Sequence, residues 1–522
     1  MKRLLAKLMT LVLLACSTQA FALTYYIKPT GGTAAQCNGL ANVAYPGTGT
    51  NQACAWSHPF MAFPPKGTPR IAGGDTLIVG RGEYMMGYGA PGATACSSND
   101  GYNCFMPAVP QGTVSAPTKI LGEGWDKGCV RAPTLWGTYG VNRVMNLVGS
   151  SNAQVQCLEV TDRANCATTY IATANRCKTG DPFAIDGVRI SDTTNLVIRN
   201  MNIHGLAGGG ITFGRNIDFT SEDVRIAANG WVGLSGDLGE TGKSSSNSGN
   251  IIFRRLLIEW NGCLESYPQK KPNGCWGKQS NGTGWGDGVG FERTDGDFLF
   301  EDSTFRYNTS DGLDVLYHTD NGSMTIRRSR SEGNAGNQFK VTGHDVTVEN
   351  SIAIGNCNFF ESKSFTLNVE HCRALGDVLA LVTADGMLRV TNNTVIGNGN
   401  IALVSSASNY GTAVVRNNIF VGYTSYVASD RPMAGLYFYN KPTVIEDHNI
   451  WFNIHNATCT GAGSSCVDPM LVNGSLLNPD VRLRPGSPAL NGGSASGAPT
   501  GDFFKTPRPA RGGFDIGALE MP

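Results

Sequence analysis

Asp287, Asp311, Asp314 and Lys340 combine the side-chain types and spacing that proton-transfer chemistry needs: three oxygen-donor carboxylates and one amine. They fall in three successive segments, WGDGVGFE, YNTSDGLDVLYH and EGNAGNQFKVTG. Asp287 and Asp311 are each followed by glycine and an apolar residue, so they share one column of a repeat. Alternation along LDV and FKV sends Leu313, Val315, Phe339 and Val341 inward, and Asp314 and Lys340 outward. Neighbouring coils of a parallel stack lie roughly 5 Å apart, which makes Asp314 and Lys340 neighbours on the outer face. An amine among carboxylates is a general base if its charge can be removed. Otherwise it is an exposed cross-strand ion pair worth about 0.5 kcal/mol, and Asp311-Gly312 is a turn.

The repeat that positions these residues is read from an asparagine column. Asn308, Asn334 and Asn356 stand six residues after Asp302, Arg328 and Asn350, and the same offset relates Asn229 to Asp223 and Asn261 to Arg255. From Asn308 through Asn334, Asn356, Asp377 and Asn398 the steps are 26, 22, 21 and 21 residues. Each repeat has an alternating apolar strand, a polar corner and a second short apolar pair, as in NIIFRRLLIEWNG and DVTVENSIAIGN. Such a period without a helical pattern means an all-β parallel solenoid. A leucine-rich repeat would need an LxxLxL frame with a helical turn in each unit, and neither occurs. Stacked amides in the asparagine column satisfy corner backbone by hydrogen-bonding along the stack.

Two insertions interrupt the coils, a Gly/Ser loop from Asp237 to Gly249 and a longer one from Leu264 to Trp285. The second carries Lys270, Lys271, Trp276, Lys278 and Trp285 and leads directly to Asp287. Loops on a rigid scaffold commonly bind ligands. Lysines and rings beside an acidic patch fit a negatively charged sugar polymer, with Lys270, Lys271 and Trp285 as contacts. The alternative is a solvated loop closed by Cys263 and Cys275. Glu361 falls where the following coil would present another outward group, and there it would add a charge.

The formal net charge is zero, which argues against a general nucleic-acid or membrane-surface binder. Lys2 and Arg3, an apolar run through Leu14 and the Ala20-Phe21-Ala22 site predict a secretory signal over residues 1–22. Leu13-Leu14-Ala15-Cys16 offers a competing lipoprotein box with Cys16 as the acylated residue, although Leu14 is atypical there. No other segment fits a membrane span. Fourteen of the 15 cysteines remain after Ala22, an even number in an exported chain, and local pairs are expected at Cys96–Cys104, Cys263–Cys275 and Cys459–Cys466. Residues 23–73 are turn-rich and read as an N-terminal cap, and the first coil begins at Gly74. A monomer is expected. P-loop, HExxH, GxSxG and RTX-type motifs are missing from the sequence.

On these motifs the chain resembles secreted right-handed parallel β-helix proteins, and over residues 285–365 the family 9 pectate lyases. The resemblance implies a single-domain right-handed β-helix over 74–484, with residues 485–522 as a C-terminal cap. It also implies that Asp287, Asp311 and Asp314 hold Ca²⁺ and that Lys340, within GNQFK, is the base. Ser310 departs from the family, which has aspartate there as the first residue of its D-D-G-F-D run. The implied activity is β-elimination of an acidic polysaccharide, pectate, alginate or a glycosaminoglycan. A polygalacturonase-type hydrolase is a weaker match: Asn308-Thr309-Ser310-Asp311 and Gly343-His344-Asp345 resemble its motifs, but its adjacent Asp-Asp pair and Arg-Ile-Lys segment are not found. A non-catalytic glycan-binding or adhesin-like solenoid is the alternative from another class.

Overall fold

The computed structural model describes residues 22–171, 176–178, 180–276, 286–318, 321–383, 386–406 and 411–522. The expected signal segment and Cys16 lie outside them, apart from Ala22. Among these residues the chain winds through three parallel sheets of 13, 12 and 10 strands and forms a right-handed parallel β-helix, the solenoid that the repeat predicts with the hand that the resemblance implies. A typical coil runs Thr194–Arg199 in the first sheet, Asn202–His204 in the second and Ile211–Gly214 in the third. Each then pairs in parallel with the coil after it. Among the described residues no helix is long and apolar enough to cross a membrane.

The corner between the first two sheets explains the six-residue offset. Asp223, Arg255, Asp302, Arg328 and Asn350 all adopt left-handed backbone, with φ between 47° and 56°. Asparagine and aspartate tolerate this region, but arginine rarely adopts it. Arg255 and Arg328 are tied there by Nε hydrogen bonds, each 2.7 Å, to Asp223 and Asp302 of the preceding coil.

At the next corner the asparagine column forms a buried amide ladder. Nδ2 of Asn229 donates to Asn261, Asn261 to Asn308 and Asn308 to Asn334, at 2.9, 2.9 and 2.8 Å. Asn356 does not continue it, contrary to the expected column. Asn334 donates instead to Gln338 Oε1 at 2.8 Å, and Asn356 to the Leu476 carbonyl at 3.3 Å. The reason is local: after Asn356 the chain leaves the coil for an insertion that returns only at Gly376, so the amide of Gln338 fills the vacated rung. A second ladder, Asn393 to Asn418 to Asn449, runs along the other corner at 3.0 Å per step.

Inward residues form one apolar core, rich in stacked phenylalanines such as Phe253 and Phe300, whose centroids are 4.9 Å apart. At the N-terminal end Thr24–Gly32 pairs with Thr76–Val79 as the outermost strand of the first sheet. The short helix Pro59–Ala62 puts Phe60 into the same core. At the other end, residues 485–522 run back along the coil corners. Asn417 donates to the Ser494 carbonyl, Asn392 to Asp515 and Asn350 to Gly501, and Lys505 reaches Asp302 at 3.0 Å. This segment is therefore a strap along several coils, not a lid on the last one. The three expected disulfides form, joined by Cys37–Cys54, Cys129–Cys157, Cys166–Cys177 and Cys357–Cys372.

Candidate active site on the third sheet

The third sheet positions the carboxylates and the lysine. Val289, Leu313 and Phe339 are in register pointing inward, so the outer row reads Gly290, Asp314, Lys340, Ala380. Just before these strands Asp287, Asp311 and Asn337 form a second row. Asp287 Oδ1 accepts from the Asp311 N–H at 2.9 Å, and Asp311 Oδ1 accepts from the Asn337 N–H at 2.6 Å. Asp186 and Asp377 cap the next coil's backbone in the same way, through the N–H groups of Gly209 and Ile401. One oxygen of each such aspartate thus belongs to the scaffold, which fixes the carboxylate and leaves Oδ2 for other work.

The carboxylates converge. Ligand atoms of Asp287, Asp311 and Asp314 all lie within 4.8 Å of one another. Lys340 Nζ donates to Asp314 Oδ2 at 2.6 Å and to Asp311 Oδ2 at 3.1 Å. Gly290 keeps the space beside Asp287 open, because a Cβ there would stand 3.2 Å from Asp287 Oδ2.

The electrostatics follow from crowding three acids in a half-buried place. Burial, then the neighbouring Asp311, raises the Asp287 pKa, while the Ser310 hydroxyl and the Arg373 guanidinium pull the other way. Burial and Asp311 push Asp314 well above the aspartate range, with Lys340 opposing. Burial disfavours the charge on Lys340, but Asp311, Asp314 and Asp287 outweigh it and hold the ammonium above the usual lysine range. The donor set fits a hard divalent cation such as Ca²⁺: all oxygen, clustered, with more negative charge than one lysine balances.

No protein-family model and no curated protein matches the sequence. Solved structures with a similar course include pectate lyase Pel9A, 13% identical with a TM-score of 0.44, covering 96% of this chain and 97% of that one. An alginate lyase from Paenibacillus sp. str. FPU-7 is 12% identical with a TM-score of 0.34, covering 72% and 92%. A rhamnogalacturonan lyase is 14% identical with a TM-score of 0.35, covering 74% and 87%. At this similarity the chemistry has to be argued from the residues themselves.

The other expected contacts are distributed differently. Trp285 and Lys278 lie outside the described residues. Lys270 is engaged by Glu159 at 2.8 Å, within a cluster where His204 bridges Glu159 and Glu265. Lys271 is exposed in the same insertion. Trp276 packs on Tyr170, with centroids 4.9 Å apart. Glu361 does not occupy the outer row, where Ala380 follows Lys340. It is exposed in the Asn356–Gly376 insertion and accepts from Asn358 Nδ2 at 2.8 Å. The expected position presumed an uninterrupted coil after Asn356.

Two features escaped the sequence reading. Cys263–Glu265 and Pro272–Trp276 form a hairpin, and Thr366–Asn368 of the other insertion adds a third strand in parallel. The insertions therefore build one small sheet over a shared apolar cluster of Trp260, Phe359 and Phe360. Arg373, anchored by its N–H on the Ala335 carbonyl at 2.8 Å, brings a guanidinium whose Nη1 is buried without an acceptor among the described residues. Its position next to Cys372 carried no signal of proximity to Asp287.

Proposed function

We propose that the chain is a secreted polysaccharide lyase that cleaves a uronic-acid glycan of the pectate type by β-elimination, with Lys340 as base and Asp287, Asp311 and Asp314 holding Ca²⁺. The observation that carries this reading is the seat of Lys340 Nζ between Asp311 and Asp314, with Asp287 beside them on one outer face. Seven disulfides fit an oxidising, extracytoplasmic compartment. When bound, Ca²⁺ supplies positive charge for the sugar carboxylate and offsets the aspartates that keep Lys340 protonated.

The chain's own groups do the rest. Asp287 and Asp311, fixed by backbone N–H donors, cost little reorganisation on binding. Neutral Lys340 takes the C5 proton next to the uronate carboxylate. The C5–H electron pair forms the C4=C5 double bond, the C4–O bond breaks, the leaving sugar oxygen takes a proton from water, and the hydroxide left behind takes the proton from Lys340 and returns it to the neutral amine. The products are an unsaturated uronide end and a new reducing end.

Ultraviolet absorbance of unsaturated uronide, followed with polygalacturonate in Ca²⁺ and in chelator, tests this. The expected result is a Ca²⁺-dependent rise that Lys340→Ala lowers by about 100-fold or more. A variant as fast as the parent removes Lys340 from the mechanism. The closed ion pairs of Lys340 favour one second reading, a non-catalytic glycan-binding solenoid. It requires sugar retention without new chain ends on pectate, alginate or glycosaminoglycans.

A further inference from the structure

The outer row that contains Asp314 and Lys340 does not stop at Ala380. It continues through Val404 to Tyr437 on Ala434–Phe438, the outermost strand of the third sheet. Lys340 and Tyr437 are separated by three coil spacings, roughly 14 Å. Between them the row holds the apolar side chains of Ala380, which is half-buried, and Val404, which is buried. Tyr437 is 48% exposed and Tyr439 is 68% exposed. Their rings meet edge to face, with centroids 4.9 Å apart and an interplanar angle of 87°. The Tyr439 N–H is bonded to the Ser405 carbonyl at 2.9 Å, which ties the pair to the preceding coil.

Single exposed aromatics are normal on a protein surface and require no explanation. Two in contact, with Tyr437 in register with Lys340 and no charged side chain in the row between them, are a different arrangement. A tyrosine offers an apolar face and a polar tip at low entropy cost, a pairing suited to a pyranose with its C–H face and hydroxyl rim. We propose that Tyr437 and Tyr439 form a stacking subsite for a distal sugar of a uronide chain whose reacting residue lies at Lys340. This inference rests on the proposed reading of the third sheet as the glycan-binding face, and it adds where the chain is held and what selects for length.

The test uses the full chain in the Lys340→Ala background, titrated calorimetrically in Ca²⁺ with oligogalacturonates and oligoalginates up to the octasaccharide. Tyr437→Ala/Tyr439→Ala is expected to weaken octasaccharide binding by about tenfold, the size of losing one well-covered ring. Tyr437→Phe/Tyr439→Phe is expected to retain the affinity, and circular dichroism checks that all variants fold alike. Equal affinity of the Ala and parent chains overturns the subsite while leaving the lyase reading intact. Loss of affinity in the Ala variant, with no unsaturated product from the native chain, supports the subsite and overturns elimination. Failure of the parent to bind any of these oligosaccharides overturns both.

Discussion

Lys340 gains its ammonium's stability from the same carboxylates that would hold a metal, so protons and cation compete for one cluster. Asp287 and Asp314 have raised pKa values in the folded chain. The stability they contribute is complete below the ordinary aspartate range and is lost as pH rises through their raised values. Further buried acids act in the same sense: burial raises Asp186 and Glu349 and pushes Asp162 up to about 8 and Asp377 up to about 6. Burial works against the charge on His204, but Glu159 and Glu265 outweigh it and raise its pKa, so its contribution also fades as pH rises. Without divalent cation, the thermal midpoint is therefore expected to fall between about pH 5 and pH 8. Asp162→Asn should flatten that slope in scanning calorimetry. Added Ca²⁺ should raise the midpoint more at the alkaline end, where its ligands are already ionised, and Asp287→Asn should abolish most of that gain.

Elements differ in what holds them. Asn308 is a rung with amide partners on both sides, whereas Asn356 sits outside the ladder. Asn308→Ala leaves two buried amides short of a partner and is expected to cost about 2 kcal/mol in denaturant unfolding. Asn356→Ala should cost clearly less; equal costs would mean that the ladder adds nothing special. The two insertions hold each other through one small sheet, each with its own disulfide. Replacing Cys263, Cys275, Cys357 and Cys372 by serine should open both insertions to limited proteolysis while the coils stay resistant. If Arg373 serves the site, elimination should fall in parallel.

As a whole, the molecule is a stack in which each coil contacts chiefly its neighbours, and long-range ties are therefore informative. The C-terminal strap supplies such ties, from Ser494 and Asp515 to the corners at Asn417 and Asn392. Its Arg508–Glu520 ion pair is almost completely buried at 2.7 Å. Arg508→Ala leaves the buried Glu520 uncompensated, at an expected cost of about 3–5 kcal/mol. Hydrogen exchange should then rise in the coils around Asn350, Asn392 and Asn417. Coils near Ile211 should be unaffected, and a uniform rise would contradict a strap that acts locally.

The solenoid, its inward and outward faces and the meeting of Asp314 with Lys340 were legible in the sequence, because a parallel stack turns a repeat period directly into neighbourhood. The Asp287–Asp311 column was legible for the same reason, as were the disulfides between close cysteines such as Cys96 and Cys104. Where the period is broken, that translation fails. The insertion after Asn356 displaced Glu361 from the row, sent the amide ladder to Gln338 and brought Arg373 toward Asp287. Lys270 reaches Glu159 and the strap reaches back to Asp302 through pairings that no spacing encodes. Sequence determined what each coil repeats; only the tertiary structure decided where the non-repeating segments pack, because their positions depend on contacts between residues far apart along the chain.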